Sequence, residues 1–368
     1  MDIVDELKQF GAAHARAQDL TPRQYRAICA RITHDGAGPG SWVGEWSRAA
    51  EQFVLDGRDL DACRYYNLAR FPYPDSPAKQ DALHGCVDSF ARWAARNPAL
   101  ERLAVETPDG TVYCWTTGLS ATEPRPLLIA LGGIVSVKEQ WAPLLEELPR
   151  LGLAGVVTEM PGVGENAQRY TPDSWKMLSA VLDAVADRAQ VDRTFAMALS
   201  FSGHLAMRCA LGDSRIRGIA TVGAPVRNLF ADPAQYAVLP RITVATVARL
   251  AGLDEADLPA RLPQWALSDD ELAAVDIPVY YVASRRDEII PASDVRLIAE
   301  HVSGARVLEF DDEHGAPHHS DEVRMWLIAS ILRTQGGKAP LRRLVTALWA
   351  LLRARRAVTA LIPLQRVR

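Results

Sequence analysis

The stretch Phe195-Ala196-Met197-Ala198-Leu199-Ser200-Phe201-Ser202-Gly203-His204-Leu205-Ala206 constrains this chain more than any other. It reads as a short apolar strand, a tight turn carrying one hydroxyl, then a helix. A small-x-Ser-x-small pattern at such a junction lifts a serine onto a sharp turn. Backbone there passes close to backbone, so the flanking side chains must be tiny. Ala198 and Ser202 stand where glycine is commonest and Gly203 follows, so this is the relaxed form of the pattern. In an Ala-rich chain it also arises by chance, and taken alone Ser200 reads equally well as an ordinary loop serine.

Two later segments change that weighing. The strand-like run Ile277-Pro278-Val279-Tyr280-Tyr281-Val282-Ala283 leads into Ser284-Arg285-Arg286-Asp287-Glu288-Ile289-Ile290-Pro291. A second run, Ala305-Arg306-Val307-Leu308-Glu309-Phe310, leads into Asp311-Asp312-Glu313-His314-Gly315. Serine, acid and histidine thus follow three strand ends in the chain order of an α/β-hydrolase. The expected fold is α/β, a mostly parallel sheet flanked by helices.

The chemistry requires these residue types. A serine hydroxyl is a poor nucleophile at neutral pH and needs a base within hydrogen-bond reach. His314 would take its proton and return it to the leaving group. Asp287 would fix the imidazole tautomer and stabilise the imidazolium. The competing readings are a surface ion pair between Asp287 and Arg285 or Arg286, and a base supplied by His318 or His319. Glu288 is one residue off the pattern. A developing oxyanion needs donors. The Phe201 N–H is one candidate. The loop after Pro126–Leu131, Gly132-Gly133-Ile134-Val135-Ser136-Val137-Lys138-Glu139, supplies the other, from Ile134 N–H or alternatively Val135 N–H. Within that loop Ser136-x-x-Glu139 reads as a capping box.

Organisation follows from pattern. Residues 1–98 read as a helical N-terminal domain, with Trp42, Trp46, Ala49 and Phe53 at helical spacing. Residues 99–335 alternate strands and helices, with Thr171-Pro172-Asp173 as a helix start. Residues 226–275 interrupt the alternation and read as an inserted lid. Residues 336–368 form a basic tail. A 48% hydrophobic content suits a sizeable core, and a net charge of −4 gives no reason to expect nucleic acid as a partner. Five cysteines without a CxxC pair argue against a disulfide framework and a zinc site, and the triad chemistry calls for no cofactor. The acidic start, Met1-Asp2-Ile3-Val4-Asp5-Glu6, does not read as a signal peptide, so a cytoplasmic protein is expected.

With these pieces in place the chain resembles the α/β-hydrolases with a helical N-terminal domain, the group of 2,6-dihydropseudooxynicotine hydrolase and FrsA-like proteins. The carriers are Trp42-x3-Trp46-x2-Ala49, Tyr65-Tyr66-x2-Ala69-x-Phe71, Gly132-Gly133 with Lys138-Glu139, Pro161-Gly162-Val163-Gly164-Glu165, and the turn at Ser200. The resemblance implies a helical domain packed over the carboxyl edge of the sheet. Together with the lid it would close a largely apolar pocket for a medium-sized small molecule, with Gly133, Val135, Tyr65 and Trp265 in its wall. Trp42, Trp46, Tyr65, Tyr66 and Phe71 each also read as plain helix–helix core. Val135 departs from the family pattern, in which a polar or acidic residue is expected.

The resemblance implies a serine hydrolase acting on an ester, acyl or activated C–C bond, in keeping with secondary metabolism. One alternative is a lyase that uses the same triad to expel acetate from an acetylated polyketide or tetronate intermediate, as in antibiotic biosynthesis. Another is a hydrolase-fold protein that only binds a ligand or partner. The complete Ser-Asp-His order favours an enzyme.

The tail carries Lys338, Arg342, Arg343, Arg353, Arg355, Arg356, Arg366 and Arg368 and no acid, which leaves the rest of the chain at a net −12. Leu341, Leu344, Val345, Leu348, Trp349 and Leu352 form one apolar stripe. Such a helix can dock on its own acidic body, join a second copy in a homodimer, or, as the weaker reading, touch a membrane surface.

Overall fold

The computed structural model describes residues 3–335, 343–351 and 353. Eight strands form one sheet in the order β1-β2-β4-β3-β5-β6-β7-β8. They are β1 (Leu100–Thr107), β2 (Gly110–Thr117), β3 (Pro126–Leu131), β4 (Ala154–Thr158), β5 (Gln190–Ala198), β6 (Ile216–Val222), β7 (Val279–Ser284) and β8 (Ala305–Phe310). β1 and β2 form an antiparallel hairpin, and β2 also meets β4 antiparallel. The strands from β3 to β8 pair in parallel. The central strands are near-continuous apolar runs, as strands covered on both faces must be; β3 is buried from Leu127 to Leu131. β3 lies between β4 and β5, so the direction of winding reverses there. Open α/β sheets bind ligands at the carboxyl ends of strands at such a switch point. The loops leaving β3 and β5 are Gly132–Val137 and Leu199–Ser200.

Five helices precede the sheet: α1 (Ile3–Arg16), α2 (Pro22–Cys29), α3 (Trp42–Leu55), α4 (Asp59–Ala69) and α5 (Pro77–Ala94). Their apolar faces share a core of Leu7, Tyr25, Trp42, Trp46, Tyr65 and Phe71. The rings meet tilted or edge-on, Trp46 against Tyr65 at 5.5 Å and Phe53 against Tyr65 at 4.7 Å. Further helices are α6 (Lys176–Ala184), α7 (Phe201–Gly212), α8 (Arg241–Ala251), α9 (Ala292–His301) and α10 (Ser320–Thr334). The Thr171-Pro172-Asp173 start is displaced: a turn closed by Ser174 comes first, and regular helix begins at Lys176.

Residues 226–275 leave the sheet after β6 as short helices around α8. Their root is held by Asp294, whose buried carboxylate accepts the N–H groups of Val226 (3.0 Å) and Asn228 (2.6 Å). His204 on α7 provides a second tie. Its Nε2 donates to Trp265 O (2.7 Å), so its Nδ1 is free to accept from Tyr170 Oη (2.8 Å). α8 reaches the helical domain: Ile242 enters that domain's core and its N–H donates to Glu6 (3.2 Å). Arg249 donates to Pro74 O (3.0 Å).

In the tail, residues 343–351 are helical, and Val345 packs on Ala329 and Leu332 of α10. Leu344, Leu348 and Leu351 are exposed. Leu341, Leu352 and the basic residues other than Arg343 and Arg353 fall outside the described residues. Among the described residues no helix is long and apolar enough to cross a membrane.

Candidate active site

Ser200 sits between β5 and α7 at φ 59°, ψ −131°, a backbone region that costs a non-glycine residue about 1–3 kcal/mol. Its surroundings hold it there. Leu199 N–H donates to Leu131 O (3.0 Å) and Ser200 N–H to Val222 O (2.8 Å), pinning the turn between both neighbouring strands. Ser202 replaces the usual glycine without crowding, because its hydroxyl turns back to donate to Leu199 O (2.9 Å). The close approach falls one residue later: a Cβ on Gly203 would lie 2.2 Å from Thr221 Oγ1. The relaxed pattern is thus a one-residue shift of the position that must be glycine.

His314 follows β8 and reaches Ser200, with Nε2 3.0 Å from Oγ. Its Nδ1 lies 3.0 Å from both Asp287 oxygens. Asp287 follows β7 and is fixed in turn by the N–H groups of Ile289 (3.0 Å) and Ile290 (2.8 Å). Because Nδ1 faces a carboxylate, the imidazole carries its proton there and turns a lone pair to Ser200. Burial lowers the His314 pKa, but Asp287 by charge and hydrogen bond, and Glu288 by charge, outweigh it, so the pKa stands above the ordinary imidazole value. Glu288 accepts the His314 N–H (3.0 Å) and so holds the loop rather than the ring. The other two histidines turn away: His318 Nδ1 (2.8 Å) and His319 Nδ1 (2.6 Å) both bond Asp312. Arg285 and Arg286 pair with Glu309 and Asp311, leaving Asp287 to His314.

Gly133 passes so close that a Cβ on it would lie 2.9 Å from Ser200 Cβ. Ile134 is the next residue of this loop, and Phe201 opens α7, so its N–H has no acceptor within the helix. The Ser136 capping box does not form. Val137 is the N-cap, and Glu139 joins a buried ionic cluster instead. Lys138, fully buried, places Nζ 3.0 Å from Glu139, 3.0 Å from Glu159 and 2.6 Å from Glu165. Glu159 also accepts the N–H groups of Lys138 (2.9 Å) and Glu165 (2.9 Å). A Cβ on Gly164 would strike Glu159 at 2.2 Å, which explains the glycine of Pro161-Gly162-Val163-Gly164-Glu165. The two sequence runs are therefore halves of one cluster that anchors the loop beside Ser200.

A cavity of about 630 Å³ opens over Ser200 and His314. Gly133, Ile134, Val135, Phe10, Ala13, His14, Phe71 and Ile242 line it, so α1, the turn after α4 and α8 supply walls. His14 is held neutral, its pKa lowered to about 3 by burial and by Arg70. Two corrections to the expected wall follow. Tyr65 lies inside the helical core against Trp46 and Phe53. Trp265 is buried against Tyr170 and Phe230. Tyr65 is taken up by the packing of α4 against α3, and Trp265 by its edge-on contacts with Tyr170 and Phe230. The cavity is also less closed than expected: it runs out between α4 and the 143–151 turns toward Arg64 and Glu147. Sequence reasoning missed Glu288 in its holding role, Asp294 and Arg70, whose partners are distant in the chain.

Sheet order, the turn at Ser200 and the Ser-His-Asp line define an α/β-hydrolase. Within that class the chain belongs to the FrsA-like esterase family, whose model, described as "Esterase FrsA-like", matches residues 37–318. It is 24% identical over 323 residues to Esterase FrsA of Vibrio cholerae serotype O1, covering 77% of each chain. Among solved structures, wild-type AbyA5 superposes with TM-score 0.92 at 48% identity, over 95% of this chain and all (100%) of that one. 2,6-dihydroxy-pseudo-oxynicotine hydrolase shares the fold with TM-score 0.69 at 20% identity, over 87% of this chain and 96% of that one.

Proposed function

We propose that this protein is a serine-nucleophile enzyme that removes an acyl group from a medium-sized, largely apolar small molecule. The Ser200–His314–Asp287 line carries the reading. Ser200 Oγ attacks the acyl carbonyl while His314 Nε2 takes its proton. The Phe201 and Ile134 N–H groups receive the oxyanion. His314 returns the proton to the departing alkoxide, and water then releases the acid from the acyl-serine. The cavity volume suits a small ligand rather than a polymer. Residues 226–275 act as the lid, and residues 1–98, on which α8 packs, complete the wall. Since the working imidazole is neutral, the rate should fall as pH drops through the His314 pKa. That limb lies above the ordinary value of about 6.5. Asp287→Asn should cut the rate by about 10⁴-fold. A flat profile between pH 5 and 8 would remove histidine from the mechanism.

One observation favours a second outcome of the same machinery. Val135 presents an apolar side chain where a polar one could order a hydrolytic water, and its neighbours Phe10, Phe71 and Ile242 are apolar too. Beside that apolar stretch of wall His314 can take a proton from carbon beside an acetoxy-bearing carbon. The C–O bond to acetate breaks, and the electron pair of the lost C–H bond becomes a double bond. An acetylated polyketide or tetronate would fit this course. Turnover of an acetylated substrate in ¹⁸O water separates the two. Hydrolysis through acyl-serine yields labelled acetate and an alcohol. Elimination yields unlabelled acetate and a product lighter than that alcohol by one water. Absence of turnover of any acyl ester, with no labelling of Ser200 by a fluorophosphonate, would sink both.

A further inference from the structure

Arg70 closes α4 and is 1% exposed, yet it has no carboxylate within salt-bridge distance among the described residues. Its guanidinium donates to neutral acceptors. Nε (2.8 Å) and Nη2 (2.5 Å) meet Asn67 Oδ1, and Nη1 meets Pro72 O (3.0 Å). Nη2 also donates to Val135 O, across the boundary between the helical domain and the sheet. His14 Nε2 stands 3.5 Å from it, neutral. Burial lowers the Arg70 pKa to about 10, so it remains a cation at neutral pH. The carboxylates that act on it through space, Glu159 and Glu139, are already bonded to Lys138.

A neutral amide could tie a loop carbonyl equally well. Burying a cation without a carboxylate partner costs several kcal/mol, so the charge itself needs a reason. Val135 belongs to the turn closed by Ser136 N–H donating to Gly133 O (3.1 Å), and Gly133 abuts Ser200. A fixed positive charge is therefore held against the loop that abuts the nucleophile.

We propose that Arg70 is a positioning residue for acyl transfer: from the helical domain it fixes the Gly133–Ser136 loop through Val135 O and sets a positive charge behind the oxyanion. The proposal rests on the serine-nucleophile reading. It makes the helical domain part of the catalytic apparatus and not only a wall.

The test compares Arg70→Gln, Arg70→Met and Arg70→Lys in the full chain. Each is read by kcat and KM on a p-nitrophenyl ester, by the rate at which a fluorophosphonate labels Ser200, by affinity for an alkyl boronic acid, and by thermal melting. Loss of one oxyanion donor lowers kcat by about 10²–10³-fold, so a group acting through the loop should cost about 10–100-fold. The expected result is a kcat loss of that size in Arg70→Gln, with KM changed less than about threefold. Labelling rate and boronate affinity should fall in step, and Arg70→Lys should recover part of all three. A folded Arg70→Gln with wild-type kcat and boronate affinity overturns the proposal. Equal impairment in Lys and Gln variants also does so, because charge would then be irrelevant. If Arg70→Gln does not fold, the Lys and Met pair decides on the same criterion, and if only Lys folds, wild-type boronate affinity alongside a full kcat loss counts against it. Failure of the wild type to label at Ser200 strikes the underlying serine reading instead.

Discussion

Replacing Ser200 by alanine is expected to lower turnover by about 10⁴–10⁶-fold while leaving the fold intact. The substitution removes only Oγ and its 3.0 Å contact with His314. Alanine keeps the Cβ, so the positive φ is no more strained than before, and the backbone bonds to Leu131 and Val222 remain. The loss of one hydrogen bond should change stability by no more than about 1 kcal/mol. Substrate affinity should also survive, because the cavity wall is unchanged. His314→Ala should be impaired to a similar degree, since groups acting as one unit lose their effect together. Undiminished turnover in folded Ser200→Ala, or fluorophosphonate attachment elsewhere, would end the nucleophile assignment. A much deeper loss in His314→Ala than in Ser200→Ala would favour elimination.

The largest effect on stability is expected from Lys138→Met. Lys138 is 0% exposed, and three carboxylates converge on its ammonium at 2.6–3.0 Å. Burial lowers its pKa, but Glu139, Glu159 and Glu165 more than reverse this, so the group stays charged. Removing it strands buried negative charge on Glu139 and Glu159, a loss of about 3–5 kcal/mol. Lys176→Met is the matched control. Lys176 and its partner Asp173 are 63% and 71% exposed, and such surface pairs contribute about 0–1 kcal/mol. Denaturant midpoints would measure both. Equal midpoints for the two variants would show that the cluster is not a structural anchor. Activity should fall further than the folded fraction, since the cluster anchors the loop beside Ser200.

Much of the fold is legible in local pattern. β3 and β7 are apolar runs, β5, β7 and β8 lead into the loops that carry Ser200, Asp287 and His314, and helical spacing marks α3 and α4. The residues brought together at the site are those that follow strand ends, because a parallel sheet delivers such ends to one edge. What local pattern cannot carry is the direction in which a buried aromatic points. Tyr65 and Trp265 have the spacing of core residues whether the far side is a cavity or a helix. Ser136-x-x-Glu139 matches a capping box, but the buried Lys138 ammonium and the Trp115 indole N–H draw Glu139 into the ionic cluster instead. Arg70 with Val135, and Asp294 with Val226, are 65 and 68 positions apart, beyond any periodicity.

Ile242 belongs to the inserted segment by sequence and to the helical domain by packing, and its N–H meets Glu6, 236 positions away. Two stretches that an alignment would treat as separate appendages are thus one mechanical part. In a chimera, exchanging the insert alone would leave an aromatic core with a hole where Ile242 had been. The unit of exchange for retargeting this scaffold is α1 to α4 together with α8, moved as a matched pair.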